Sequence, residues 1–192
     1  MSKVLIAALV VVGTFLLVAA VLVIAFYAIN NRLVALQETC NSSWAQVDTV
    51  LQRRYDLIPN LVNTVKGYAT HEKTLLEDVT RLRSQWAAAR TTEERATAAT
   101  QLEAGLGRLI LVAEQYPDLK ASANFRDLQY ELAGTENRIA VERQRYNDAV
   151  RAYNTAVRQF PSSWVAGVMG FKPSTAYFEA ATPAREAPKV QF

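Results

Sequence analysis

The stretch VLIAALVVVGTFLLVAAVLVIAFYAI, Val4 to Ile29, contains no charged residue and decides how everything after it is read. About 20 apolar helical residues, rising about 1.5 Å each, cross the hydrocarbon core of a bilayer, so this run spans it with length left over for tilt. A secretory signal is the competing reading. Its apolar core is shorter and ends at small residues, whereas this run ends in Phe26-Tyr27-Ala28-Ile29, a poor cleavage site in which Tyr27 suits an interfacial anchor. The sequence therefore predicts a retained single span over residues 1–31 with the rest of the chain tethered to it. Lys3 precedes the span and Arg32 follows it, so the positive-inside count is nearly balanced. It leans toward a cytoplasmic amino terminus and leaves the side of the soluble part open.

Beyond the span, composition narrows the class. The net charge is +3, with Lys and Arg dispersed among Asp and Glu; no basic block points to nucleic acid. Cys40 is the single cysteine and His71 the single histidine, which excludes an intrachain disulfide and a cysteine metal cage. Seven glycines and six prolines in 192 residues favour helix over sheet. Leu33, Leu36, Cys40, Trp44, Val47, Leu51, Tyr55 and Ile58 recur at helical spacing; Leu61, Val65, Tyr68, Glu72, Leu75, Val79, Leu82 and Trp86 continue it. Thr91 followed by Glu94 is a capping box that opens a third stripe of Leu102, Leu106, Leu109 and Val112. Tyr116-Pro117-Asp118 marks a loop. A last heptad seam runs through Phe125, Leu128, Leu132, Thr135, Ile139, Glu142, Tyr146, Ala149, Tyr153, Ala156 and Phe160.

Such seams need partners, since each large apolar side chain buried is worth about 1.5–3 kcal/mol. The predicted fold is all-α: an elongated antiparallel bundle over residues 32–160. An apolar segment follows over 161–181, and a disordered Pro-, Ala- and charge-rich tail over 182–192. Pro59 is ambiguous. A break there gives four bundle helices. A kink, which the nearly unbroken phase of the stripe favours, gives three rods, one of them continuous with the span.

Several strings carry a family resemblance. After the span come Asn30-Asn31-Arg32-Leu33-Val34, then Trp44-Ala45-Gln46-Val47-Asp48 leading into Arg53-Arg54-Tyr55-Asp56-Leu57-Ile58-Pro59-Asn60-Leu61-Val62. Val65-Lys66-Gly67-Tyr68, Thr135-Glu136-Asn137-Arg138-Ile139-Ala140, Tyr146-Asn147, Tyr153-Asn154 and Phe160-Pro161 follow. The chain resembles the LemA family of bacterial membrane proteins over nearly its whole length. That resemblance implies a single-span protein of the bacterial cytoplasmic (inner) membrane with an elongated bundle of four helices, and so a break at Pro59. It implies little chemistry.

The residues themselves offer little chemistry either. His71 and Glu72 are adjacent and point about 100° apart on a helix, so they do not form a Glu-x-x-His metal motif. A zinc-protease motif, a P-loop and a dinucleotide-binding glycine pattern are absent. The expectation is no enzyme, no cofactor and no metal. Glu72 and Glu142 occupy seam positions, where a lone buried carboxylate is costly. With Arg143, Asn147 and Asn154 they are candidates for a polar layer inside the bundle, the asparagines cross-linking helices; the simpler reading puts the carboxylates at the open end or rim of the bundle, or in ordinary structural pairs. Arg53-Arg54 reads either as an anion or headgroup contact or, more simply, as salt bridges. Trp164, Val168, Met169 and Phe171 form a compact apolar face beyond a filled bundle, a candidate for self-association at the tip of the rod or for membrane contact, unless it folds back to cap the bundle end.

Function read from these features is a membrane-anchored scaffold that self-associates and organises or shapes the membrane or holds partners there. Its partners would be the lipid bilayer, copies of itself and an unidentified protein, and not nucleic acid. The alternative is a membrane-tethered adaptor in signalling or envelope stress, with a bundle enzyme ranked below both.

Overall fold

The structure is a computed structural model that describes residues 3–69 and 71–178. It is helical with no strand among the described residues: α1 Lys3–Tyr55, α2 Ile58–Lys66, α3 Lys73–Ala88, α4 Thr92–Ala113, α5 Pro117–Ala121, α6 Ala123–Arg158 and α7 Ser162–Met169. Residues 171–178 follow as an extended strap. The tail expected to be disordered, 182–192, lies outside the described residues.

α1 is 53 residues long, about 80 Å of continuous helix. Its first half holds the one stretch among the described residues long and apolar enough to cross a membrane, and the most apolar part of that stretch is not buried by the protein at all. Its second half is a bundle helix, with Leu33, Val47, Leu51 and Tyr55 sealed from solvent. α6 lies antiparallel along it: Arg54 reaches the Leu132 carbonyl near the far end, Trp44 meets Tyr146 midway, and Leu33 shares a core with Tyr153 and Val157 at the base. α3 and α4 form an antiparallel pair on the distal half, tied to α1 by Tyr55 against the Trp86 ring at 4.8 Å and by Arg95 to Asp48 at 2.6 Å. α3 and α4 approach closely at Gly105, where a Cβ would meet Leu82 Cδ1 at 3.0 Å.

Pro59 does not reverse the chain. It sits in the first turn of α2, where its missing N–H removes no helical bond. Leu57 before it keeps right-handed helical dihedrals (φ −79°, ψ −19°), and α2 stays against α6, the partner α1 also has. The ladder is interrupted over Asp56 and Leu57 only, so α1 and α2 form one kinked rod. The reversal comes after Lys66, where Tyr68 and Ala69 both turn back onto the Val65 carbonyl (3.0 and 2.8 Å). The bundle thus has four long elements, the α1–α2 rod, α3, α4 and α6, with the break after Lys66 and not at Pro59 as the family resemblance implies. The expected seam shifts accordingly: Ala69 and Leu76 are buried, while Tyr68 is 46% exposed and Glu72 begins α3 instead of facing the core. Phe160, expected to close the last seam, is 81% exposed; the seam ends at Val157.

Among the described residues, one ion cluster is built around a buried arginine at the edge of the core. Arg54 is 3% exposed, bonds the Leu132 carbonyl at 2.9 Å and pairs with Glu103 at 3.1 Å, with Glu136 at 3.8 Å. The Tyr55 hydroxyl donates to Glu103 at 3.2 Å. Burial pushes the Glu103 carboxyl up, and Arg54, Arg143 and the Tyr55 hydroxyl pull it back without cancelling the shift. Burial likewise drives the Tyr55 phenol far above its ordinary range, with Glu103 adding to the effect. A buried pair of this kind costs desolvation when formed but costs more when halved.

The helix cap and the ion cluster each have consequences for stability. Thr91 accepts from the Glu94 amide at 3.1 Å while Glu94 accepts from the Thr91 and Arg90 amides, the capping box the sequence predicts. Thr91→Ala should lower unfolding free energy by about 1 kcal/mol in denaturant melts of the detergent-solubilised chain. For the ion cluster, Arg54→Met and Glu103→Leu should each destabilise by about 3 kcal/mol, and the double variant should recover most of that loss. Because Glu103 is harder to ionise folded than unfolded, its contribution to stability is full below the ordinary carboxylate range and declines as pH rises through its raised folded value. Arg54→Met removes its strongest counter-charge, so stability of that variant should fall more steeply than in the parent chain between about pH 4 and pH 7.

Candidate functional surface at the base of the bundle

α6 is long enough to carry the chain from the far end of the bundle back to where α1 leaves its apolar stretch. The peptide bond at Phe160-Pro161 is cis, and α7 starts directly after it. One face of α7 is buried: Val165 (2%) and Ala166 (1%) pack with Leu33, Tyr153, Ala156 and Val157, and Phe26, Ile29, Leu36 and Phe171 border them. The other face is open, with Trp164 66%, Val168 62% and Met169 50% exposed. Phe26 meets the Trp164 ring edge-on at 6.2 Å. A crevice between the two helices is lined by Leu22, Val23 and Phe26 from α1, by Trp164 and Val165 from α7, and by Phe160 from the turn before it. The expected apolar face therefore exists at Trp164, Val168 and Met169, while Phe171 is half-buried. It lies at the base of the bundle and not at its tip, because α6 runs back along α1. The expectation that this segment folds back onto the bundle describes its inner face, and the expectation of an exposed apolar patch describes its outer one.

α7 ends at Gly170 in the left-handed region (φ 80°), where an L side chain is strained, and the Phe171 amide closes the cap on the Ala166 carbonyl at 2.9 Å. This turn redirects the chain up the bundle as the strap. Two asparagines of α6, one heptad apart, hold it by its backbone. Asn154 Nδ2 donates to the Ser174 carbonyl and Oδ1 accepts from the Ser174 amide, both at 2.8 Å; Nδ2 also meets the Tyr177 hydroxyl at 2.9 Å. Asn147 repeats the pattern on Phe178, donating to its carbonyl at 2.9 Å and accepting from its amide at 3.0 Å. Such paired bonds treat the strap as the edge of a sheet would. The Tyr153 hydroxyl adds a bond to the Lys172 carbonyl at 3.0 Å. Phe178 stacks on Trp44 at 5.6 Å, meets the Tyr146 edge at 5.8 Å and lies under the Arg143 guanidinium at 4.7 Å. Burial pushes the Tyr146 phenol up to about 12.

The candidate polar layer is not one layer. Asn147, Asn154 and Arg143 face the strap, and no helix-to-helix bond of either asparagine is among those described. Glu142 is partly exposed and pairs with Arg145 on its own helix at 2.7 Å. Glu72 sits at the start of α3 and accepts from the Tyr116 hydroxyl at 3.2 Å. Both carboxylates find local partners because each lies at the rim of the core. Of the Arg53-Arg54 patch, Arg53 is exposed and Arg54 is the buried member of the ion cluster. Nothing local in the sequence singles out Glu103, which follows Leu102 on an ordinary helical stripe. Its only advance signal is the arginine beside Tyr55 on α1, which needs a buried acid. Among the described residues no three His, Cys, Asp or Glu side chains are grouped as metal ligands.

The strap makes a specific prediction. Asn154→Ala and Asn147→Ala together remove every side-chain amide bond to it. Amides of Ser174 and Phe178, protected in the parent chain, should then exchange with solvent at least about tenfold faster, while amides of α6 midway along α1 keep their protection.

Residues 43–192 match the sequence profile of the LemA family. The chain is 26% identical over 186 residues to magnetosome protein MamQ 2 of Paramagnetospirillum magneticum, covering 83% of this chain and 68% of that protein. It is 24% identical over 186 residues, with the same coverage, to magnetosome protein MamQ of Magnetospirillum gryphiswaldense. It is also 23% identical over 156 residues to protein LemA of Metamycoplasma hominis, covering 79% and 70% of the two chains. With a profile match over most of its length, a bundle of four long elements and an apolar helix leading into it, this chain belongs to the LemA family.

Proposed function

We propose that this chain is a membrane-anchored helical scaffold. α1 crosses the bacterial inner membrane once, and the bundle stands on the bilayer as a rigid post that gathers copies of itself and holds partner proteins at the surface. The observation that carries this reading is the continuity of α1, which passes from its apolar stretch into the bundle core without a linker. A flexible tether would let the soluble part swing; a shared helix fixes its orientation against the membrane. Continuity also favours a retained anchor over a cleaved signal, because Phe26 and Ile29 of the apolar stretch pack against the α7 core. The names of the magnetosome relatives fit a part in building a cellular structure more than the turnover of a substrate.

The reading predicts multiple copies per particle. The full chain, extracted with its surrounding lipid into polymer-bounded discs, should show oligomers by single-particle mass measurement. Particles with one copy each, at protein densities matching those of the native membrane, would refute self-association and leave a monomeric tether.

A further inference from the structure

The open face of α7 lies at one particular height on α1. The apolar stretch is 26 residues, about 39 Å of helix, against a hydrocarbon core of about 30 Å, so its last turns reach the headgroup zone. Those turns are the ones α7 touches: Leu22, Val23, Phe26 and Ile29 line the crevice with Phe160 and Trp164. The exposed side chains of α1 here, Leu22 (64%) and Tyr27 (61%), line the crevice with Phe160 (81%), just before α7, and Trp164 (66%) on it, and Val168 (62%) continues the open face of α7. The surface is one apolar band, and a span that places its α1 half in lipid places its α7 half there too.

We propose that α7 is an interfacial helix, lying in the leaflet from which α1 emerges with Phe160, Trp164 and Val168 among the lipid chains. This rests on the reading of α1 as a span. Trp and Tyr at this depth are the residues that gain from an apolar body and a wet edge. Charge agrees with the assignment. The sequence has no acidic residue from Met1 to Gln37 or from Ala149 to Phe178. Exposed Arg32, Arg158 and Lys172 therefore rim the base of the bundle, where anionic lipid phosphates lie. A second copy is the poorer occupant, because a two-fold contact through this face brings the two basic rims together. Lodged this way, α7 and the span give the bundle two points of attachment in the membrane. Rotation about the α1 axis is then resisted, and the strap leaves the bilayer at Gly170.

Site-directed nitroxide labelling of the full chain tests the assignment. Cys40→Ala supplies the background, and single cysteines are placed as Val168→Cys on α7, Val18→Cys in the apolar stretch and Thr97→Cys on the exposed side of α4. The protein is reconstituted in vesicles of phosphatidylethanolamine and phosphatidylglycerol, and collisions with oxygen and with a water-soluble nickel chelate are compared. The expected result is an oxygen-to-nickel ratio at 168 severalfold above that at 97 and below that at 18. A ratio at 168 equal to that at 97, with 18 in lipid, overturns the inference while leaving the span intact. Exclusion of both reagents at 168, with spin–spin broadening that vanishes on dilution with unlabelled protein, overturns it in favour of a second copy. A water-exposed label at 18 overturns both this inference and the span on which it rests. Met169→Cys, on the same open face, repeats the measurement should the 168 variant fail to fold.

Discussion

The antiparallel packing of α6 along α1 is the contact on which the rest of the structure depends. It joins the longest and second-longest helices of the chain through a core that runs from Phe125 and Leu132 at the far end, through Tyr146 against Trp44, to Val157 against Leu33. With each large buried side chain contributing about 1.5–3 kcal/mol, this seam outweighs any single polar contact in the molecule. It also decides geography. Because α6 is 36 residues long and runs the whole way back, the residues after it land beside the apolar end of α1. Without that return, α7 would be a loose hydrophobic end.

The polar groups divide into two kinds around this seam. The Arg54–Glu103–Tyr55 cluster lies in the distal half where α1, α4 and α6 meet, with Arg54 and Tyr55 buried and Glu103 at the edge of the core. Its bonds are directional, whereas apolar contacts tolerate sliding, so it fixes the register of the three helices against one another. The asparagines of α6 do something different. They present amide groups to a chain segment with no secondary structure of its own, satisfying backbone groups that would otherwise be buried beneath Trp44 and Arg143 without partners. One heptad between Asn147 and Asn154 spans about 10 Å of helix, roughly the rise of a three- to four-residue extended segment, which is the spacing between Ser174 and Phe178.

The proposed membrane role would use few parts. The helix that would enter the bilayer is the helix that carries the core, and the segment that would lie on the bilayer is clamped to it by Val165 and Ala166. Orientation of the bundle is then set by rigid packing rather than by linker length. A scaffold needs that property, since partners that meet on a surface must present matching faces at matching heights.

The sequence alone determined the span-length apolar helix, the all-α class, the capping box at Thr91 and Glu94, the stripes of the long helices and the family. These are legible because helical periodicity and chain-local bonds depend only on residues three and four apart. The same local reading puts Glu72 on a seam, which does not survive, and favours a kink at Pro59, which the structure has. The break at Pro59 that the family resemblance implies comes instead after Lys66, because a proline in the first turn costs a helix no bond and the reversal is set by which faces find partners across the bundle. Only the tertiary structure decided that Arg54 meets Glu103, that Asn147 and Asn154 grip a strap instead of a helix, and that Trp164 comes to rest beside Phe26. Those contacts join residues from 20 to well over 100 positions apart, and no periodicity within one helix says which face of another it will meet.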